Sequence, residues 1–139
     1  MNFAPGLVVA VAVVLVAACG GPTTAAVSAP THGASFNQAL HDRLPQSVRD
    51  GGVLRVGTDA SYAPMSSFGP DGRTIIGVEP DLGVLIGRVL GVRLQFVNTD
   101  FAKLLGDVAG GNPDIAMSAM TDTPERAKTV DFVDYFSAG

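Results

Sequence analysis

Between residues 53 and 137 the apolar positions alternate between a strand-like period of two and a helical period of three to four. The stretch VLRVGTDA, residues 53–60, has the β-branched content of a strand, and Gly57 near its end permits close backbone approach. A turn at Pro70, Asp71 and Gly72 leads to a second short strand around Thr74 to Val78. Leu82, Leu85, Ile86, Val89 and Leu90 fall at i, i+3, i+4, i+7 and i+8, which predicts a helix that Pro80 and Asp81 start and a left-handed Gly91 stops. VRLQFVNTD, residues 92–100, is a strand with Leu94 and Phe96 on one face. Asp100 then caps a second helix bearing Phe101, Leu104, Leu105 and Val108, which ends at Gly110 and Gly111. DIAM, residues 114–117, is the next strand, and Thr123, Pro124 and Glu125 open a third helix with a hydroxyl cap, proline at the first helical position and an acid behind it. VDFVDYFS, residues 130–137, reads as a final strand, and residues 34–52 as a weak helix interrupted by Pro45.

Strands alternating with helices of about ten residues predict an α/β fold: a mainly parallel sheet with right-handed crossovers and helices on both faces. Ligands of such sheets bind at the carboxyl ends of the strands. That rule selects three loops, after Gly57, after Val97 and after Met117. The third contains an anomaly. Arg126 stands in the first turn of its predicted helix, where the macrodipole disfavours a cation by roughly 0.3–1 kcal/mol.

The amino-terminal region has a different pattern. LVVAVAVVLVAA, residues 7–18, is an uncharged apolar run too short to span a hydrocarbon core of about 30 Å and of the length of an export signal, although the preceding MNFAPG has no Lys or Arg. It ends in VAAC, where small residues precede Cys19, the only cysteine, so no intrachain disulfide can form. This resembles the lipobox of bacterial lipoproteins and implies a lipid on Cys19. Residues 19–35 are small and polar and read as a flexible tether, with the folded domain over residues 36–139. Removing residues 1–18 deletes no charged side chain, so the formal net charge of −4 persists, and no basic patch points to nucleic acid or an anionic membrane.

LRVGTDASYAPM, GVEPDLGVLIGRVLGVRLQFV and DIAMSAMTDTPERAKTVDFVDYF, in that order, resemble the bacterial extracellular solute-binding proteins of family 3, the polar amino-acid binders of ABC importers. The resemblance implies one lobe of a type II periplasmic-binding-protein (Venus-flytrap) fold. It implies an extracytoplasmic receptor, in the periplasm or on the outer face of the plasma membrane, that delivers an amino acid or similar small carboxylate to an ABC permease without a cofactor. It assigns Asp59 to the ligand's ammonium or side chain, Tyr62 and Phe101 to a sandwich around that side chain, Ser118 and Thr121 to hydroxyl donors, and Arg126 to the α-carboxylate. Ala119 stands where many members carry a hydroxyl or glycine, so its backbone N–H has to serve. A planar guanidinium grips a carboxylate through two charge-assisted hydrogen bonds, which accounts for the cation at residue 126. The residues alone also allow blander roles: Arg126 paired with Asp122, Tyr62 and Phe101 as core, Ser118 and Thr121 as turn hydroxyls, and Asp59 bonded to its own turn.

Members of the family have two lobes, and the second is expected to be missing from these 139 residues. An isolated lobe presents its ligand contacts to water, which predicts affinity no better than about millimolar, and its terminal strand at a sheet edge predicts self-association. Two other function classes share the fold: periplasmic enzymes such as dehydratases and lytic transglycosylase modules, and sensor domains of membrane kinases. His32 and His41 lie away from the three loops, and no metal-spacing cluster or nucleophile–base pair supports catalysis.

Overall fold

The computed structural model describes residues 33–137. The export segment, Cys19, the tether up to residue 32 and His32 lie outside the described residues. Two small sheets organise the rest. Strands β1 (Val53–Thr58), β5 (Arg93–Asn98) and β6 (Ile115–Ala116) form a parallel sheet in the order β5-β1-β6. Strands β2 (Ser61–Tyr62), β3 (Ser66–Phe68) and β4 (Ile75–Ile76) form an antiparallel meander. Helix α3 (Val78–Leu90) connects the meander to β5, and helix α4 (Leu104–Ala109) connects β5 to β6. Before β1 come two short helices, α1 (Gln38–His41) and α2 (Gln46–Gly51).

The helices cover opposite faces of the parallel sheet. Leu54 and Val56 are registered with Leu94 and Phe96, and this face meets α3: a Cβ on Gly83 would lie 2.5 Å from the Phe96 ring, and one on Gly87 would lie 3.5 Å from Leu94. Gly57 points the other way, where an added Cβ would meet Pro113 at 2.7 Å and Leu104 of α4 at 2.8 Å. Gly57 thus supplies the close approach expected of it. Val56 and Leu104, both without accessible surface, form the centre of the two faces. At the other end of β1, Val48, Leu54 and Val92 cluster with Leu44, Leu90, Leu94 and Ile115.

Of the apolar stripe of α3, Leu90 joins the cluster around Leu54, but the buried positions of the helix lie elsewhere. Its buried residues are Glu79, Gly83 and Gly87, at i, i+4 and i+8. Glycine lets the helix axis approach the sheet more closely than leucine allows, so Leu85, Ile86 and Val89 turn toward Leu40 of α1 and stay half-buried. The helix also starts before Pro80 and Asp81. Its opening N–H groups are satisfied by backbone, with Val78 N–H donating to Pro64 O and Glu79 N–H to Met65 O, both at 3.1 Å. Gly77, with φ 137°, makes that junction, which shortens the strand expected at residues 74–78 to Ile75–Ile76. Gly91 (φ 67°) stops α3 as predicted.

Two other expectations fail. The third helix is a single 3-10 turn, Arg126–Lys128: Thr123 Oγ1 accepts from Arg126 N–H at 3.3 Å, but the β-branched Thr129 and Val130 that follow do not favour propagation. Residues 130–137 form no strand, because β6 ends after two residues and the chain leaves the sheet at the turn. The edge-strand reason for self-association therefore does not apply to this segment.

Packing at the two faces of Gly57 and on the open side of α4 gives opposite expectations for one substitution. Gly57→Ala forces Leu104 and Pro113 aside and costs about 1–3 kcal/mol of stability. Gly106→Ala, whose Cβ meets nothing within 4 Å, gains about 0.5–1 kcal/mol. Denaturant titration of both variants checks the pair.

Candidate functional site

Parallel strands end on the same side, so the loops after β1, β5 and β6 meet at one edge. Backbone hydrogen bonds carry the pairing past the strands: Thr99 N–H donates to Thr58 O at 2.8 Å, and Met117 N–H to Gly57 O at 3.0 Å. Side chains then stitch the loops together. Asp59 N–H donates to Ser118 Oγ at 3.0 Å, and Ala60 N–H to Asn98 Oδ1 at 2.8 Å. The Asp59 carboxylate accepts from Ser61 N–H and Oγ–H through Oδ1, and from Phe101 N–H through Oδ2 at 3.2 Å. These donors, first the Ser61 hydroxyl, hold its pKa below the ordinary carboxylate value.

Arg126 completes the edge. Its guanidinium lies 5.7 Å from the centre of the Phe101 ring and donates through Nη1 to Thr121 O at 2.8 Å. Among the described residues it forms no ion pair; the two recorded pairs are Arg55–Asp114 and Lys128–Glu125, so the bland pairing with Asp122 is not formed. The remaining guanidinium donors are available to a planar anion. Because the expected helix is one 3-10 turn, the macrodipole conflict disappears.

The structure thus joins Asp59, Phe101, Ser118, Thr121 and Arg126 in one chain of contacts. Tyr62 sits on β2 of the separate meander, 60% exposed. Phe101 is 38% exposed. Both are surface aromatics and do not belong to the core. Ala119 is a different case: its N–H is already committed to Glu79 Oε1 at 2.6 Å and to the Tyr135 hydroxyl at 3.0 Å. Its φ of 45° is left-handed, a conformation that costs a residue with a Cβ about 1–2 kcal/mol.

Sequence reasoning missed the group behind this loop. Glu79, fully buried, receives Tyr135 Oη–H and Ala119 N–H on Oε1, and Ser66 Oγ–H at 2.7 Å on Oε2, with Thr58 Oγ1 3.2 Å away. Thr58 also lies 2.9 Å from Ser66 Oγ, so its single hydroxyl hydrogen serves one of the two acceptors. The Glu79, Gly83, Gly87 spacing was the signal: an acid in line with two glycines one and two turns on lies on the face that approaches the sheet. Tyr135 and Asn98 carried no comparable signal. Among the described residues no group of His, Cys, Asp and Glu could hold a metal ion.

Residues 54–139 match the bacterial extracellular solute-binding proteins, family 3. The chain belongs to that family. It is 35% identical over 96 residues to the arginine-binding protein ArgT of Corynebacterium glutamicum, a match covering 69% of this chain and 31% of the relative. It is 34% identical over 95 residues to the cyclohexadienyl dehydratase of Pseudomonas aeruginosa, covering 68% and 35%. The matched stretch therefore spans about a third of these curated relatives' length. Among solved structures, the arginine-bound form of domain 1 from TmArgBP, the arginine-binding protein of T. maritima, aligns with a TM-score of 0.61 at 34% identity, covering 66% of this chain and 71% of that domain. Family membership and the α/β fold with its parallel sheet agree with the expectations drawn from the sequence.

Burial, and secondarily the hydrogen bond to Glu79, push the Tyr135 phenol above its ordinary pKa. The sign follows: the contact's stabilisation is complete below the ordinary phenol value and is lost as pH rises through the raised one. The chain has two tyrosines, so Tyr62→Phe isolates Tyr135. Its phenolate absorbance is expected to titrate above the range of free tyrosine, and adding Glu79→Gln should lower the midpoint without removing the shift, since burial is the larger cause. A midpoint in the ordinary range would exclude the buried contact.

Proposed function

We propose that residues 36–139 form the first lobe of an extracytoplasmic receptor that captures a cationic amino acid, most simply arginine, and hands it to an ABC permease. The observation that carries the reading is Arg126: a guanidinium at the carboxyl edge of the sheet, held by Phe101 and the Thr121 carbonyl, with no carboxylate partner among the described residues. In this reading the ligand's α-carboxylate takes that place. Ser118 Oγ accepts from Asp59 N–H and so keeps its own hydrogen to donate to the ligand, and the Thr121 hydroxyl is exposed on the same loop. Asp59 supplies the negative charge for the ligand's ammonium or guanidinium, and Tyr62 and Phe101 supply flat faces for its side chain. Ala119 serves through backbone position, its N–H being engaged within the lobe. The arginine bound to a single domain of a related protein supports the idea that one lobe can carry enough contacts to hold the ligand.

The dehydratase relative favours a second reading, an enzyme on the same fold. Against it, His41 is bonded through Nδ1 to the carbonyl of Leu90, the last residue of α3, away from the candidate edge. Addition of the chain to a cyclohexadienyl substrate is expected to leave its rate of aromatisation unchanged; acceleration abolished by a site substitution would establish the enzyme.

Residues 1–18 and Cys19 complete the proposal as an export signal and a lipid anchor that holds the receptor at the membrane surface, with residues 19–35 as tether. Two acyl groups on a diacylglyceryl unit anchor stably where one chain is marginal. Expressed in a bacterial host, the chain is expected to incorporate labelled palmitate and Cys19→Ala to lose the label; equal labelling of both removes the anchor.

Chemical-shift titration with arginine tests the ligand reading. Arg126→Ala should weaken binding roughly tenfold or more, as removal of one partner of a charge pair does, and Arg126→Lys should recover only part because an ammonium lacks the planar fork. Unchanged affinity in Arg126→Ala would return the residue to an ordinary surface role.

A further inference from the structure

We propose that Glu79 is a positioning residue for the loop of residues 118–126, and that its Oε1 atom couples this loop to the segment of residues 131–137. The inference rests on the reading of Ser118, Thr121 and Arg126 as ligand contacts, although the first half of its test does not.

A fully buried carboxylate with no cation beside it has to be solvated by protein donors, and those of Glu79 come from four separate parts of the chain. Thr58 ends β1 and Ser66 opens β3; both are buried and well anchored. The other two donors belong to parts with little regular structure. Ala119 lies in the loop after β6, and Tyr135 lies in a segment with no helix or strand. Oε2 therefore fastens the carboxylate to β1 and β3, while Oε1 holds the two partners outside regular structure, Ala119 N–H at 2.6 Å and Tyr135 Oη at 2.5 Å. Those partners also touch each other, Ala119 N–H lying 3.0 Å from the phenol oxygen, so the three groups form a closed triangle.

The loop depends on this triangle. Ala119 occupies a left-handed backbone conformation that its Cβ disfavours, and such a conformation persists only where surrounding contacts determine it. Its neighbour Ser118 is the residue whose Oγ meets Asp59 N–H, and the chain runs on directly to Thr121 and Arg126. Losing the acceptor under Ala119 releases the conformation that aims the next residues at the sheet edge. Tyr135 makes the same oxygen respond to residues 131–137: movement of that segment withdraws one corner of the triangle.

Glu79→Met keeps length and removes both acceptors. Glu79→Gln keeps an oxygen for Ala119 and Tyr135, while the Ser66 and Thr58 hydroxyls can rotate to accept from the new amide. Tyr135→Phe removes one corner alone. Amide hydrogen exchange on the ligand-free full chain, read by peptide, distinguishes a positioning role from a merely structural one. In Glu79→Met, residues 118–126 are expected to exchange at least about tenfold faster while β1 and β5 keep their protection, and in Glu79→Gln the loop should stay within about twofold of the parent. Tyr135→Phe should loosen residues 131–137 and, to a smaller extent than Glu79→Met, residues 118–126. An equal rise of exchange throughout the chain, an unchanged loop, or Glu79→Gln as loose as Glu79→Met would each overturn the proposal. Should Glu79→Met fail to fold, Tyr135→Phe decides: an unchanged loop in that variant overturns the coupling.

The second half uses arginine as the probe. If the parent binds arginine, Glu79→Met should bind it roughly tenfold more weakly, and a loosened loop with undiminished affinity would refute positioning for the ligand. If the parent binds no arginine, the ligand reading fails, while the exchange experiment still passes or rejects Glu79 as the post of the loop.

Discussion

A carboxylate removed from water has to recover its hydrogen bonds from the protein, and that requirement at Glu79 organises the described part of the chain. Leaving such a group unsatisfied costs several kilocalories per mole, more than most single contacts contribute. The fold meets the cost by converging on one point the end of β1, the start of β3, the loop after β6 and residues 131–137. No buried side-chain nitrogen or oxygen among the described residues lacks a partner. The position of α3 follows from the same requirement. Gly77 turns the chain so that the helix begins on the carbonyls of Pro64 and Met65, and Gly83 and Gly87 let its Glu79 face settle against the sheet. A helix seated on leucines would stand farther away and hold the carboxylate short of Thr58 and Ser66.

The outer edge follows a different balance. Exposed to water, this edge keeps a cation that has no carboxylate partner among the described residues, where the interior tolerates none. Arg126 is stabilised without being neutralised: a π face and a backbone carbonyl hold its plane, and neither removes its charge. In open water the attraction of such a cation for an anion is weakened several-fold by the surrounding dielectric, and it strengthens wherever a second surface excludes solvent. Behind Arg126, Asp59 bridges Ser61 and Phe101, and Ser118 bridges to Asp59, so the polar groups of this edge are set by the ends of three parallel strands.

The alternation of periods along the chain was enough to give the parallel sheet, because strand and helix propensity are properties of a few consecutive residues. Gly57 and Gly91 were legible for the same reason: each is needed within its own turn or strand, one for close approach and one for a left-handed stop. Leu82, Leu85, Ile86, Val89 and Leu90 mark a helix correctly, although its buried positions are Glu79, Gly83 and Gly87. Two readings went astray where local preference met a tertiary demand. Thr123, Pro124 and Glu125 mark a helix start that Thr129 and Val130 do not sustain. VDFVDYFS has the composition of a strand, yet β6 offers it no edge beyond two residues, and Tyr135 spends its hydroxyl on Glu79 instead.

The sequence by itself determined the order β1, α3, β5, α4 and β6, the edge at which the loops gather and the family to which the chain belongs, since these rest on patterns read within one segment at a time. It also put Asp59, Phe101, Ser118, Thr121 and Arg126 at that edge, because each follows a strand whose direction the crossovers fix. Only the tertiary structure decided what stands behind them. The donors to Glu79 lie 13, 21, 40 and 56 residues away along the chain, and nothing near residue 79 announces them. A buried acceptor takes whichever donors the folded chain carries past it, so its partners are settled by where the segments run in space.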